Sequence, residues 1–87
     1  MKNELSTTLV LKVYEHISQN GQQYDLGKQL DGVTAFSDPD GYTIYLKGSG
    51  VLLRFGFHNT YHFEYDKESQ KQDFMKKLSQ IADAIDD

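Results

Sequence analysis

Gly41-Tyr42-Thr43-Ile44-Tyr45-Leu46-Lys47-Gly48-Ser49-Gly50-Val51-Leu52-Leu53-Arg54-Phe55-Gly56-Phe57 is two alternating runs joined by a glycine turn. Tyr42, Ile44 and Leu46 alternate with Thr43, Tyr45 and Lys47. Val51, Leu53, Phe55 and Phe57 alternate with Leu52, Arg54 and Gly56. Successive strand side chains point to opposite faces, so each run gathers its large apolar residues on one face. The period continues outward. Downstream, Tyr61, Phe63 and Tyr65 alternate with His62, Glu64 and Asp66; upstream, Phe36 stands against Val33 and Ala35. Eight of the 11 aromatic residues fall between Phe36 and Tyr65, which marks the middle of the chain as a sheet with one packed face.

Turn chemistry predicts the register. Asp38-Pro39-Asp40-Gly41 suits a type I turn followed by a glycine bulge, which pairs Asp38 with Tyr42 and Phe36 with Ile44. Gly48-Ser49 suits a two-residue II′ turn, pairing Lys47 with Gly50, Leu46 with Val51 and Ile44 with Leu53. A three-residue loop, His58-Asn59-Thr60, pairs Phe57 with Tyr61, Phe55 with Phe63 and Arg54 with Glu64. A two-residue loop there would send one strand's aromatics to the wrong face. The expectation is a four-stranded antiparallel meander. One face holds Phe36, Tyr42, Ile44, Leu46, Val51, Leu53, Phe55, Phe57, Tyr61, Phe63 and Tyr65. The other holds Val33, Ala35, Thr43, Tyr45, Leu52, Arg54, His62 and Glu64. Residues 22–31 read as a loop, or as one extended pairing on the sheet edge.

Helical periods flank the sheet. Leu5, Leu9, Val13 and Ile17 recur at every fourth position, widened by Val10 and Tyr14, and predict a helix over 5–20 that stops at Asn20-Gly21. Phe74, Leu78, Ile81 and Ile85, with Met75 and Ala82, predict a second helix over 67–84 with Asp66 as its cap. The aromatic face is the only large apolar surface either helix can bury against. A two-layer α+β domain of order α-β-β-β-β-α follows.

At 87 residues the chain makes a single domain, residues 1–87, with 1–4 and 85–87 expected to fray. Lys plus Arg is 9 against 13 for Asp plus Glu, a net charge of −4, which argues against a dedicated nucleic-acid or anionic-membrane binder. Cysteine is absent, which excludes disulfides, thiolate chemistry and cysteine-based zinc sites. Neither a signal-peptide pattern nor an apolar run of spanning length is visible, so a cytoplasmic location and no membrane segment are expected.

Reactive constellations are hard to find. His58, His62 and Glu64 are ligand types that zinc accepts. The plain reading is a polar hairpin end, because sustained ligand spacing and supporting outer groups are missing. His16 reads as a surface or boundary residue. No serine sits in a nucleophile elbow. Gly48-Ser49-Gly50 is a turn, since a phosphate loop needs a following Lys-Ser/Thr and a helix start. Asp38-Pro39-Asp40-Gly41 is only a fragment of a calcium loop and is explained by turn chemistry. No enzyme activity, metal or cofactor is expected. The helix–sheet–helix order also fits RNA-binding domains. The net acidic charge, and Glu68 interrupting Lys67 and Lys71, favour reading Lys67, Lys71, Lys76 and Lys77 as a solvated helix face.

Leu30-Asp31-Gly32-Val33-Thr34-Ala35, Asp40-Gly41-Tyr42-Thr43, Phe57-His58-Asn59-Thr60-Tyr61 and Glu64-Tyr65 lie in this order along the chain. With the opening Met1-Lys2-Asn3-Glu4-Leu5, they resemble a family of short bacterial proteins of unknown function. The resemblance implies a stand-alone bacterial cytoplasmic protein and brings no activity, cofactor or catalytic residue. From the residues themselves, the expectation is a non-enzymatic protein-interaction or accessory module. Its surface would be the second sheet face, where Val33, Ala35, Tyr45, Leu52 and Arg54 cluster, and its partner a different protein or a second copy in a weak homodimer. The alternatives are a small-ligand or metal module at the His58–His62 end and, third, an RNA-binding domain.

Overall fold

The structure is a computed structural model and describes residues 7–25, 27–56 and 60–85. Helix α1 (Thr7–Asn20) leads into strands β1 (Gln22–Tyr24), β2 (Gly27–Leu30), β3 (Val33–Ser37), β4 (Ile44–Gly48), β5 (Val51–Phe55) and β6 (Tyr61–Glu64). Helix α2 (Glu68–Ile85) follows. All neighbouring strands are antiparallel, in the order β1 to β6. The expected α+β layering and meander are present, but the sheet has six strands, not four.

Helix α1 carries its apolar stripe as expected: Val10, Val13 and Ile17 are fully buried, with Leu9 and Tyr14 beside them. It ends at Asn20-Gly21. The Gly21 amide donates to the Ile17 carbonyl at 2.7 Å, and the Asn20 side-chain amide donates to the His16 carbonyl at 3.0 Å. His16 therefore has a local partner in Asn20. Leu5 lies outside the described residues, as do residues 1–4, 86 and 87; Ile85 closes α2 and packs against the core. Helix α2 buries Phe74, Leu78, Ile81 and Ala82. At its start the Gln70 carboxamide reaches back and accepts from the backbone amides of Lys67 (3.0 Å) and Asp66 (3.2 Å). That is half of a capping box, and Asp66 is a donor in it rather than the expected cap. No described helix is long and apolar enough to cross a membrane.

The sheet departs from expectation in three ways. First, residues 22–24 and 27–30, in the segment expected to be a loop or one edge pairing, form two strands. Tyr24 pairs with Gly27, and Leu30 pairs with Val33 around Asp31-Gly32, both at positive φ (53° and 82°). Those dihedrals are a type I′ hairpin, the turn whose twist matches its flanking strands. Second, β3 is one residue out of the expected register with β4. The Asp38–Gly41 turn forms, with the Gly41 amide on the Asp38 carbonyl at 2.9 Å and φ 79° at Gly41. The ladder resumes only at Thr43, whose carbonyl accepts the Asp38 amide at 3.0 Å. Tyr42 is thus an extra loop residue and is 65% exposed. A slip of one residue exchanges faces. Val33 and Ala35 enter the core, and Phe36 moves to the other face beside Tyr45. Small residues suit this place, since α1 lies across β2, β3 and β4.

Third, the β4–β5 and β5–β6 registers each shift by two. The turn is Ser49-Gly50 (φ 53° and 78°), which pairs Gly48 with Val51, Leu46 with Leu53 and Ile44 with Phe55. Phe55 pairs with Tyr61, Leu53 with Phe63, and Arg54 with His62 rather than Glu64. An even shift preserves the faces, so Leu46, Val51, Leu53 and Phe55 are buried as expected. Ile44, Tyr61 and Phe63 pack at the margin, and Tyr65 is exposed. Phe57, His58 and Asn59 lie outside the described residues.

Candidate functional site

The core and both helices occupy one sheet face, and register alone writes out the other. The cross-strand partners Gln22–Gln29, Gln29–Thr34, Thr34–Lys47, Lys47–Leu52 and Leu52–Glu64 make one row across all six strands. Two residues along each strand, a second row runs Tyr24, Gly27, Phe36, Tyr45, Arg54, His62. Tyr24–Gly27, Phe36–Tyr45, Tyr45–Arg54 and Arg54–His62 are paired, and Gly27 lies against the Phe36 Cβ. Apart from Gly27, every member of that second row carries a planar π system.

Phe36 and Tyr45 are stacked, with ring centroids 4.8 Å apart and planes 8° from parallel. The Tyr45 hydroxyl donates to Asp38 Oδ1 at 3.1 Å. The loop that changed the β3 register therefore also supplies the carboxylate that anchors Tyr45. This hydrogen bond to Asp38 holds the Tyr45 pKa above its ordinary 10.0, helped by burial and by the Asp38 charge, with Arg54 pulling the other way. A raised folded-state pKa stabilises the fold fully below the unfolded value, and that stability is lost as pH rises through the folded value. A difference titration of tyrosinate absorbance between wild type and Tyr45→Phe should place this ring above the ordinary tyrosine range. Asp38→Asn should bring it back toward that range; an unchanged midpoint in Asp38→Asn would show that the contact is not formed in solution.

Beside the stack the face is concave. A cavity of about 400 Å³ is bounded by Tyr24 and Asp25 on one side and the Gly48–Gly50 turn on the other. Gln29, Thr34, Phe36 and Lys47 also line it. Thr34 is only 8% exposed although it lies on the outer face, and its hydroxyl accepts from Gln29 Nε2 at 3.3 Å. The volume lies within the ~300–1,000 Å³ usual for ligand sites.

Of the residues expected on this face, Tyr45, Leu52 and Arg54 are there. Val33 and Ala35 are not, because the β3 slip buries them to 0% and 2% exposure. Sequence reasoning missed Phe36, Tyr24, Gln29 and Thr34. Asp31-Gly32 was the available signal, since Asp-Gly between extended runs is a strong hairpin mark and would have placed β2 beside β3.

His62 faces Arg54, whose guanidinium lies 3.8 Å from the Glu64 carboxylate. A cation opposite the imidazole and a carboxylate shared with that cation both weaken this corner as a zinc site. His58 lies outside the described residues, and among those described no group of three or more metal-ligating side chains converges. On α2, the Lys71 ammonium lies over the rings of Phe63 (5.1 Å) and Tyr65 (5.6 Å). The Lys77 ammonium sits beside Gly32. Two of the three α2 lysines are therefore drawn onto the protein's own surface rather than aligned toward phosphates.

Residues 5–87 match DUF3081, a protein family of unknown function. The chain belongs to this family. No curated protein and no solved structure matches it. The DUF3081 match spans the segments from Leu30 onward that carry the resemblance read from the sequence, including the Asp31-Gly32 and Asp40-Gly41 turns, while residues 1–4 lie before it.

Proposed function

We propose that this DUF3081 chain is a non-enzymatic protein-interaction module whose binding surface is the outer face of the sheet. One observation carries the reading: the cross-strand row from Tyr24 to His62 puts Phe36, Tyr45 and Arg54 side by side on the face that neither helix occupies. Tyr and Arg are favoured at interface centres, the first because its rigid ring buries area at low entropy cost, the second because its fork makes several hydrogen bonds at once. Leu52 adds an apolar neighbour beside Arg54, and Lys47 and Glu64 supply a polar rim. Two of the acidic groups here are engaged in structure: Asp38 accepts from Tyr45, and Glu64 pairs with Arg54. That use fits a recognition surface better than an acid–base site.

The test compares partners recovered from the native host by wild type and by a Tyr45→Glu, Leu52→Lys double mutant whose amide spectrum shows that it is still folded. The double mutant should lose the specific partners. If it keeps all of them, the face is ordinary surface. Solution mass across a dilution series covers the second-copy case: a wild type that stays monomeric at millimolar concentration removes the homodimer and leaves a different protein as the partner.

A further inference from the structure

The sheet is open, and its two edges are not alike. Gly48 pairs with Val51 across the two-residue turn Ser49-Gly50. In such a hairpin the flanking pair exchanges both backbone hydrogen bonds, and the direction of the backbone groups then alternates along each strand. On β5, Val51, Leu53 and Phe55 therefore turn their N–H and C=O groups to β4, while Leu52, Arg54 and Gly56 turn theirs to β6. The Gly56 amide, which donates to the Thr60 carbonyl at 2.8 Å, fits this alternation. On β6, His62 and Glu64 face β5 with their backbone groups, because they pair with Arg54 and Leu52. Tyr61, Phe63 and, next in the alternation, Tyr65 turn theirs outward. Strand β6 ends the sheet, so among the described residues no strand takes these groups.

Sheet edges are ordinarily blunted by Pro, Lys, a bulge or brevity. At the other edge, β1 is three residues long and exposed throughout, and the Gly21 amide before it is already bonded to the Ile17 carbonyl. Strand β6 lacks such protection: Tyr61-His62-Phe63-Glu64 contains neither Pro nor Lys and pairs with β5 without a bulge. Its core-side rings are only partly covered. Tyr61 and Phe63 are half-buried at the margin, and Tyr65 is 38% exposed.

A second copy fits this edge in one register. Two antiparallel copies of β6 related by a two-fold axis must match faces, so the axis passes through a residue and not between two. An axis at Glu64 would oppose two carboxylates, and one at His62 would set each imidazole against its own copy. At Phe63 the outward backbone groups exchange hydrogen bonds with the partner's Phe63, and Tyr61 falls opposite the partner's Tyr65. His62 then falls opposite the partner's Glu64, twice over by symmetry. On the core side aromatic meets aromatic, and on the outer side an imidazole N–H meets a carboxylate; both are favourable cross-strand pairs. Arg54 stands opposite His62 on β5 and 3.8 Å from Glu64 of its own chain, so positive and negative groups alternate across the seam.

We infer that the chain forms a symmetric dimer through β6, paired antiparallel about Phe63, which joins two sheets into one. The inference is independent of what the outer face binds. It extends that face, since the row ending at His62 continues into the partner's Glu64.

The experiment measures solution mass and amide hydrogen exchange across a dilution series for wild type, His62→Glu, Glu64→Lys and the His62→Glu, Glu64→Lys double mutant. Both positions are exposed, and an amide spectrum of each variant checks that it is folded. Wild type should be dimeric at millimolar concentration. Exchange at the Phe63 amide should slow as concentration rises, while the Gln23 amide on the far edge should not change. His62→Glu and Glu64→Lys each place two like-charge or mismatched pairs across the axis and should weaken the dimer roughly tenfold. The double mutant restores opposite charges and should recover most of the wild-type affinity. A wild type that is monomeric at millimolar concentration overturns the inference. A dimer whose Phe63 amide exchanges at the same rate at every concentration does so too, because its interface lies elsewhere. So does a double mutant that dimerises no better than either single mutant.

Discussion

Phe74→Ala should remove a large share of the protein's folding stability. Phe74 is fully buried where α2 meets the sheet, and its ring meets that of Phe63 edge-on, with centroids 6.4 Å apart and planes 87° apart. Truncating a buried Phe costs about 3–5 kcal/mol, because apolar burial is lost and a cavity stays behind. A chain of this length has about 4–13 kcal/mol of total stability at ~0.05–0.15 kcal/mol per residue. The melting temperature should fall by more than about 12 °C, at roughly 4–8 °C per kcal/mol. Phe55→Ala, at 7% exposure, should follow closely. Phe63→Ala should cost less, about 1.5–2.5 kcal/mol, since the Phe63 ring is half-buried at the margin and one side carries the Lys71 ammonium. Equal shifts for Phe63→Ala and Phe74→Ala would mean that the margin of the sheet is as well packed as its centre.

Gly27→Ala should be nearly as damaging although it removes nothing. A Cβ at Gly27 would overlap the Ala35 carbonyl oxygen and come within 2.8 Å of the Phe36 Cβ. The first obstacle is backbone and cannot rotate away, so β2 must separate from β3 or the residues around it must shift. Overpacking costs ~1–3 kcal/mol, and a backbone obstacle puts this site at or above the upper end, about 3 kcal/mol. Amide exchange should quicken throughout β1 and β2. Gly41→Ala is the control. At φ 79° it is strained, but its Cβ meets nothing within 4 Å, so it should cost only about 1 kcal/mol, the left-handed penalty for a non-glycine residue. A Gly27→Ala protein within 0.5 kcal/mol of wild type by denaturant midpoint would show that the close β2–β3 approach is not present in solution.

These two mutations also mark where sequence reading is strong and where it stops. Phe74, Leu78 and Ile81 are legible because a helix repeats its face every 3.6 residues, and no alternative placement buries all three. Leu46, Leu53 and Phe55 are legible because a strand repeats every two. That reading tolerated turn errors of two residues at Ser49-Gly50 and at the β5–β6 loop, since an even slip returns each side chain to its own face. Gly27 was not legible. Its need for no side chain comes from how closely β2 approaches β3, a contact between segments and not a local pattern.

The outer face shows the same limit more sharply. Tyr45, Leu52 and Arg54 were placed on it from alternation within their own strands. Phe36, Val33 and Ala35 were exchanged because one residue of loop length, Tyr42, reverses β3 against β4. Both loop lengths satisfy the turn chemistry of Asp38-Pro39-Asp40-Gly41. The choice is made by what must fit under α1, where Val33 and Ala35 lie buried, and by the Tyr45–Asp38 hydrogen bond that the longer loop permits. Local periodicity, turn residues and charge balance, all present in the sequence, determined the α+β class, the meander, the two core stripes and the absence of thiol chemistry. Only the tertiary structure decided that residues 22–24 and 27–30 extend the sheet to six strands, that Phe36 stacks on Tyr45, and that a cavity opens beside Gln29, Thr34 and Lys47. Each depends on the distance between segments far apart in the chain, and a one-residue change in a loop resets such distances without altering any local pattern.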